Sequence, residues 1–151
     1  MADDIPFDRN FDTPAGRVDR IAPLIRRVVA PNPGPFTFTG TCTYIVGEGE
    51  VAIIDPGPDL PAHIEAVLKA VEGERVSHIL VTHTHRDHSP AVPAIQAATG
   101  AKTYGEGPHR AARPFQIDEK TRLDASADMD FIPDVRVKDG ETIEGKGFAF
   151  E

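Results

Sequence analysis

The chain has 151 residues, 40% hydrophobic and 26% charged, a composition typical of one soluble globular domain. Its formal net charge of −8 disfavours a surface that follows nucleic-acid phosphates, because such a surface needs clustered Lys and Arg. The sequence contains no apolar run of the roughly 18 residues that a membrane helix needs, so no membrane partner is expected. The acidic start lacks the apolar core of a secretory signal, and the single cysteine, Cys42, cannot form an internal disulfide. Both features favour a cytoplasmic location.

Pro and Gly residues interrupt the amino-terminal half of the sequence at several positions. The polar residues 1–23 predict an extended arm, and residues 24–151 are expected to form the folded part. Three short apolar runs bounded by turn residues predict strands over 24–30, 41–47 and 51–55. The Pro- and Gly-rich stretch between the first two runs predicts an ordered loop.

Two helical patterns follow. The first covers 59–71, where Asp59 is a candidate cap and four apolar residues recur on one face: Ile64, Val67, Leu68 and Val71. The second covers 89–99, with Ser89 as the candidate cap and Pro90 at the first helical position.

A run that is apolar on both faces at its centre, 76–83, lies between the two helices, and a further short strand is predicted over 102–105. Strands alternating with helices predict an α/β (α+β) arrangement with a mainly parallel sheet.

The strongest chemical signal is the stretch THTHRDH at 82–88, directly after the buried strand. If the backbone stays extended, His83 and His85 point to the same side and can bind one cation. Asp87 and His88 follow a turn, at the expected start of the next helix, and can approach a second cation. Two metals that share a hydroxide produce a nucleophile at neutral pH, and sites of this kind form beyond the carboxyl ends of strands.

The other histidines and the cysteine have simpler interpretations. His63 is expected on the surface of the first helix, and His78 is expected to be a structural histidine inside a strand. His109 is a loop histidine with a smaller chance of facing the cleft, and Cys42 is expected to be a small strand residue.

The motif H-x-H-x-D-H, formed here by 83–88, resembles the signature of the metallo-β-lactamase superfamily. Residues 51–57, VAIIDPG, resemble the strand that ends in the first conserved aspartate of that family, here Asp55. Residues 32–47 are similar to the β-lactamase-like 2 branch, which has single-strand endoribonuclease activity. That branch reads G-T-N-T-Y, and this chain has Cys42 in place of the Asn.

The resemblance implies an αββα sandwich and a role for each motif residue. His83 and His85 would bind a first zinc, and Asp87 and His88 a second, with Asp87 as the catalytic residue that orients the attacking hydroxide. Asp55 would hold the metal loop by hydrogen bonds without binding the metal. A simple turn residue is the alternative interpretation of Asp55.

The family completes both metal sites with a His in a P-G-H context, a bridging Asp and a late His. The sequence has no His after His109, so these ligands are expected beyond Glu151. Residues 24–151 are therefore expected to be the amino-terminal half of the domain, one mixed sheet with helices on one face. A complete domain would hold two zinc ions; partial or no occupancy, and no activity, are expected for this chain alone.

Several functions stay open at this stage. The resemblance favours a zinc-dependent hydrolase that uses a metal-bound hydroxide on single-stranded RNA, although the acidic charge argues mildly against RNA. Thioesters of the hydroxyacylglutathione type and lactams are alternative substrates. A non-catalytic metal-binding or assembly module is the alternative of another class.

Helices on one face would leave the other face of the sheet apolar. An exposed apolar face much above a few hundred Å² is a liability for a monomer. The chain is therefore expected to form a homo-oligomer, most simply a dimer in which a second copy covers that face.

Overall fold

The computed structural model describes residues 11–110 and 126–151. Within these ranges the chain forms nine strands and two helices, in the order β1 (Val18–Ala22), β2 (Ile25–Val29), β3 (Cys42–Glu48), β4 (Glu50–Ile54), α1 (Pro61–Ala70), β5 (Arg75–Leu80), α2 (Val92–Thr99), β6 (Lys102–Gly105), β7 (Val135–Arg136), β8 (Ile143–Gly145) and β9 (Phe148–Phe150). The first seven strands form one sheet in chain order, and β8 pairs with β9 alone. The sheet is mixed as predicted, antiparallel from β1 to β4 and parallel from β4 to β7.

The register of the parallel strands brings their carboxyl ends to one edge of the sheet. Ile54 of β4 pairs with Leu80 of β5, which pairs with Tyr104 of β6. The loops that follow β4 and β5 therefore leave the sheet side by side. Ligand sites in open α/β sheets form at such edges, so this register places the loop after Asp55 next to the histidine motif.

Both helices cover the same face of the sheet, as the sequence predicts. The core contains fully buried residues of three neighbouring strands, Ile45, Ile53 and Ile79, against Val67 of α1 and Ile95 of α2. Alternation along β3 matches this packing, because Thr43 and Ile45 are buried whereas Cys42, Tyr44 and Val46 are half-buried.

The opposite face carries a row of half-buried side chains across four strands, which we call the open-face row: Tyr44, Ile54, Leu80 and Tyr104. The β8–β9 hairpin lies against the same sheet nearby. The Phe148 ring is 5.5 Å from the ring of His78, and the Lys146 amide donates to a carboxylate oxygen of Glu50 at 3.1 Å.

Several sequence predictions need correction. The predicted arm over 1–23 is wrong at 18–22, which form the edge strand β1 because the segment pairs with β2; residues 1–10 lie outside the described residues. Neither Asp59 nor Ser89 caps a helix. The N-cap positions are Leu60 and Ala91, and neither makes a side-chain cap hydrogen bond.

His63 is buried rather than on the surface, because α1 turns it toward β3. Its Nε2 lies 2.9 Å from the Thr43 hydroxyl, which itself donates to the carbonyl of Asp55. The Thr43 proton is thus already used, so His63 must donate from Nε2. Burial lowers the pKa of His63 and keeps the ring neutral.

His78 is structural, as predicted. It is buried, its Nδ1 lies 2.7 Å from the Ser77 hydroxyl, and its ring stacks on Tyr104 with a centroid distance of 4.8 Å. Among the described helices, neither is long and apolar enough to cross a membrane.

Gly57 leaves room for His63, and we predict that adding a methyl group at position 57 destabilises the fold. A Cβ at Gly57 would lie 2.5 Å from His63 Nε2, on a backbone with φ of +96°. We expect Gly57→Ala to lower the free energy of unfolding by about 3 kcal/mol. Gly73→Ala is the matched control, since φ is +81° and nothing lies within 4 Å. It should cost about 1 kcal/mol in chemical denaturation. Equal losses would contradict this packing.

Self-association of the chain stays a prediction, and the open-face row is the surface on which it would depend. We expect a concentration-dependent dimer in sedimentation equilibrium, because half-buried apolar side chains gain by further burial. Tyr44→Glu should shift the protein toward monomer, since it places a charge in the row. Val18→Glu, at a 43% exposed position on β1, should leave the equilibrium unchanged. A monomeric unaltered protein at tens of micromolar concentration would refute the prediction.

Candidate metal centre

Asp55 is held in an unusual backbone conformation directly after β4. Its φ is +50°, a left-handed value that costs a non-glycine residue about 1 kcal/mol. Its carboxylate offsets this cost through three contacts. Oδ1 accepts from the Thr82 amide at 2.8 Å, and Oδ2 accepts from the Thr82 hydroxyl at 2.7 Å and from His88 Nδ1 at 3.0 Å. The carboxylate thus ties the loop after β4 to the loop after β5.

The motif loop is anchored from two sides by backbone hydrogen bonds. The Gly57 amide donates to the His88 carbonyl at 2.9 Å. On the other side His85 forms an isolated bridge with Ala127, and the Arg86 amide donates to the Ser126 carbonyl at 2.8 Å. The histidines therefore lie on a loop that backbone hydrogen bonds hold in place.

The local backbone differs from the prediction in two ways. Strand β5 ends at Leu80 and the chain bends at Thr82, so the motif is not a continuation of the strand. Asp87 and His88 lie in a turn rather than at a helix start, because α2 begins only at Val92.

The structure brings the predicted side chains together at this edge. Asp55, His83 and His88 each offer one ligand atom, and these atoms lie within 4.8 Å of one another. The His83 ring centroid is 4.7 Å from that of His85 and 4.0 Å from that of His88. Asp87 Oδ2 is 3.2 Å from His88 Nε2. His85 and Asp87 thus lie next to the closer group formed by Asp55, His83 and His88.

The hydrogen bonds identify the donor nitrogen of both central histidines. A carboxylate can only accept, so His88 must donate from Nδ1 to Asp55. The Thr82 hydroxyl uses its proton on Asp55, so the His83 Nδ1 that lies 3.0 Å from it must be the donor in that contact. In both rings Nδ1 is thus engaged as a donor, which leaves Nε2 as the nitrogen available to a metal ion.

The protonation of these groups follows from their surroundings. Burial raises the pKa of Asp55, but the hydrogen bonds from His88 and Thr82 outweigh it and hold the pKa below its ordinary value. Burial lowers the pKa of His88, yet the bond and charge of Asp55 leave it raised. Burial, with the charges of His88 and His85, lowers the pKa of His83. His83 is thereby kept in the neutral form.

This donor set fits a zinc ion. Imidazole nitrogen and carboxylate oxygen are the usual ligands of Zn²⁺ besides thiolate. An imidazole whose far nitrogen donates to a carboxylate is a common metal-binding arrangement, because the carboxylate orients the ring and raises its basicity. His88 and Asp55 have this arrangement.

Sequence reasoning missed three residues of the site. Thr82 makes two hydrogen bonds to Asp55, although it lies inside the motif that was singled out. Thr41 donates to Asp87 Oδ2 at 2.7 Å, and Asn32 contacts Thr41. No periodic or spacing signal marks Thr41, since its partner Asp87 is 46 positions away. The available hint was the position of Thr41 directly before β3.

His109 contacts the motif loop, and Cys42 is the small strand residue that the sequence predicts. His109 Nδ1 lies 2.9 Å from the Thr84 hydroxyl, so this histidine contacts the motif loop. Cys42 is a half-buried residue at the start of β3, with its sulfur 4.0 Å from the Gly40 carbonyl oxygen.

Comparison with curated proteins gives relatives with two kinds of name. A lactamase-like protein of Pestalotiopsis microspora is 46% identical over 82 residues, which is 52% of this chain and 26% of that protein. An atrochrysone carboxyl ACP thioesterase of Cryptosporiopsis sp. is 43% identical over 85 residues, 54% of this chain and 26% of that protein. The chain thus spans about a quarter of the length of these relatives.

Solved structures share the fold at low sequence identity. A metallo-beta-lactamase of Cronobacter sakazakii has a TM-score of 0.63 and 20% identity, covering 91% of this chain and 51% of that one. A subclass B3 metallo-beta-lactamase of Bradyrhizobium japonicum has a TM-score of 0.61 and 17% identity, covering 91% and 50%. The family model of the metallo-beta-lactamase superfamily matches residues 36–151, most of the chain and all of the motif. The chain therefore belongs to the metallo-beta-lactamase superfamily.

Proposed function

We propose that this chain carries the metal-binding edge of a zinc-dependent hydrolase. The observation that supports the proposal most directly is the approach of His83 and His88 to each other and to Asp55, which orients His88; one nitrogen or oxygen atom of each lies within 4.8 Å of the others. In this proposal His83 and His85 hold one zinc ion, and Asp87 and His88 hold a second.

Each residue has a defined task. Zinc, when bound, lowers the pKa of water so that a hydroxide nucleophile is available at neutral pH. His83 and His88 offer Nε2, because Thr82 and Asp55 occupy their Nδ1 atoms. Asp55 orients His88 and keeps its own oxygens engaged. Asp87 offers a carboxylate beside His88 and orients the attacking nucleophile.

A thioester is the substrate class that we favour. Relatives at 40–43% identity are named atrochrysone carboxyl ACP thioesterases. Two exposed aromatic side chains, Phe36 at 101% and Phe38 at 56% exposure, lie in the loop between β2 and β3 whose residue Thr41 contacts Asp87, and they suit an apolar acyl group. The net charge of −8 disfavours RNA, the substrate that the branch resemblance implied. A cytoplasmic location stays part of the proposal.

Hydrolysis and metal dependence can be tested together in the natural-length protein. We expect hydrolysis of an acyl-carrier-protein thioester to exceed that of single-stranded RNA and of nitrocefin. Chelation should abolish the activity, zinc should restore it, and His85→Ala should lower kcat by at least 100-fold.

The control is His78→Asn, which removes a histidine outside the site. It should retain metal and activity. Bound zinc without hydrolysis of any of the three substrates would favour the non-catalytic metal-binding alternative. Activity that survives both chelation and His85→Ala would refute the metal-dependent mechanism.

The proposed task of Asp55 gives a protonation prediction. Asp55 raises the pKa of His88 through a hydrogen bond and its charge, whereas Asp87 acts through charge alone. In the metal-free protein, Asp55→Asn should therefore lower the pKa of His88 more than Asp87→Asn does. NMR titration of the ring protons measures both shifts, and His78 is the internal reference. An unchanged His88 pKa in Asp55→Asn would contradict the assigned contact.

A further inference from the structure

We propose that Thr41, held by Asn32, is a positioning residue that fixes the carboxylate of Asp87 for metal binding. This inference rests on the proposed function, because it takes Asp87 to be a metal ligand. Thr41 lies directly before β3, and Asn32 lies just beyond the end of β2. Both are remote in sequence from the motif that carries Asp87.

The contacts fix the direction of the Thr41 hydroxyl proton. The Thr41 amide donates to Asn32 Oδ1 at 2.9 Å, and because a backbone N–H can only donate, this contact identifies the oxygen of the Asn32 amide. The other atom, Nδ2, then donates to Thr41 Oγ1 at 3.1 Å. Since Nδ2 cannot accept a proton, the Thr41 hydroxyl is directed to Asp87 Oδ2, 2.7 Å away.

The support is rigid on the side away from Asp87. Thr41 is 6% exposed, and its carbonyl accepts from the Ala30 amide at 2.9 Å. Asn32 is held in turn, because the Thr37 hydroxyl donates to its carbonyl at 2.6 Å. The donor that faces Asp87 therefore belongs to the sheet and its adjoining loop, and not to the motif loop.

The consequence concerns the orientation of the Asp87 carboxylate. Oδ2 of Asp87 receives the Thr41 proton and lies 3.2 Å from His88 Nε2. These contacts hold the plane of the carboxylate and keep Oδ2 beside the Nε2 of His88, so the orientation of the Asp87 carboxylate toward a metal ion is set. A valine at position 41 would keep the shape but lose the donor, so the carboxylate could rotate and Asn32 Nδ2 would lose its acceptor.

Cobalt binding tests this role without relying on catalysis. The natural-length protein is titrated with Co²⁺, and its visible d–d absorption reports affinity and ligand geometry. We expect Thr41→Val to weaken the binding that depends on Asp87 by about 10- to 100-fold, the usual effect of removing a group that orients a ligand. Thr41→Ser, which keeps the hydroxyl, should bind cobalt nearly as well as the unaltered protein. Thr99→Val should have no effect, because its hydroxyl donates to the Ile95 carbonyl within α2.

Two further variants guard against a folding artefact. Asn32→Ala leaves the Thr41 hydroxyl in place but frees its proton, so a smaller loss of affinity is expected. In an Asp87→Asn background, Thr41→Val should cause almost no additional loss, whereas a merely structural role would add its full effect.

The outcomes separate this inference from the proposed function. If Asp87→Asn weakens cobalt binding and Thr41→Val and Asn32→Ala do not, the positioning role is refuted and the metal site stands. If neither Asp87→Asn nor His88→Ala weakens binding, the ligand assignment itself is wrong and the positioning role falls with it.

Discussion

The site depends on one interaction, the bridge that Asp55 forms between two loops of the parallel sheet. Parallel strands cannot be joined by a tight turn, so the loops after β4 and β5 are far apart in sequence. Asp55 joins them with three hydrogen bonds to Thr82 and His88, within 2.7–3.0 Å. Hydrogen bonds to a charged group stabilise by about 1.5–3 kcal/mol each, which outweighs the roughly 1 kcal/mol cost of a left-handed backbone at Asp55. The left-handed backbone of Asp55 is thus stabilised by hydrogen bonds within the protein, without a metal ion.

Local patterns predicted the sheet and helices well, since most of these elements are specified by short stretches of sequence. The short apolar run within 41–47 and the apolar face of 59–71 lead to β3 and α1. The failures came where distant groups decide the outcome. Ser89 looks like a helix cap, but its hydroxyl donates to Asp128 at 2.6 Å, 39 positions away. The polar segment 18–22 looks like an arm, but pairing with β2 makes it a strand.

The same distinction applies to the site. The ligand-type residues 83–88 are contiguous, so their chemistry is visible in the sequence, and Asp55 is visible because it ends a strand. The residues that orient them are not visible in this way. Thr41 contacts Asp87 and His63 contacts Thr43 only once the chain is folded, because each pair is at least 20 positions apart in the sequence. His63 is expected at the surface because the apolar face predicted for α1 is formed by other residues, and its packing on Thr43 buries it instead.

The two carboxylates are supported in the same manner but from opposite parts of the sheet. A threonine hydroxyl donates to Asp55 from the parallel part, through Thr82, and another donates to Asp87 from the antiparallel part, through Thr41; both distances are 2.7 Å. Each hydroxyl is itself a hydrogen-bond acceptor, from His83 in one case and from Asn32 in the other, so each proton has one direction. The polar atoms are thus oriented by the protein before any ion arrives. Such preorganisation reduces the ordering that metal binding would otherwise require, which is why these small hydroxyl groups matter at a site known mainly for its histidines.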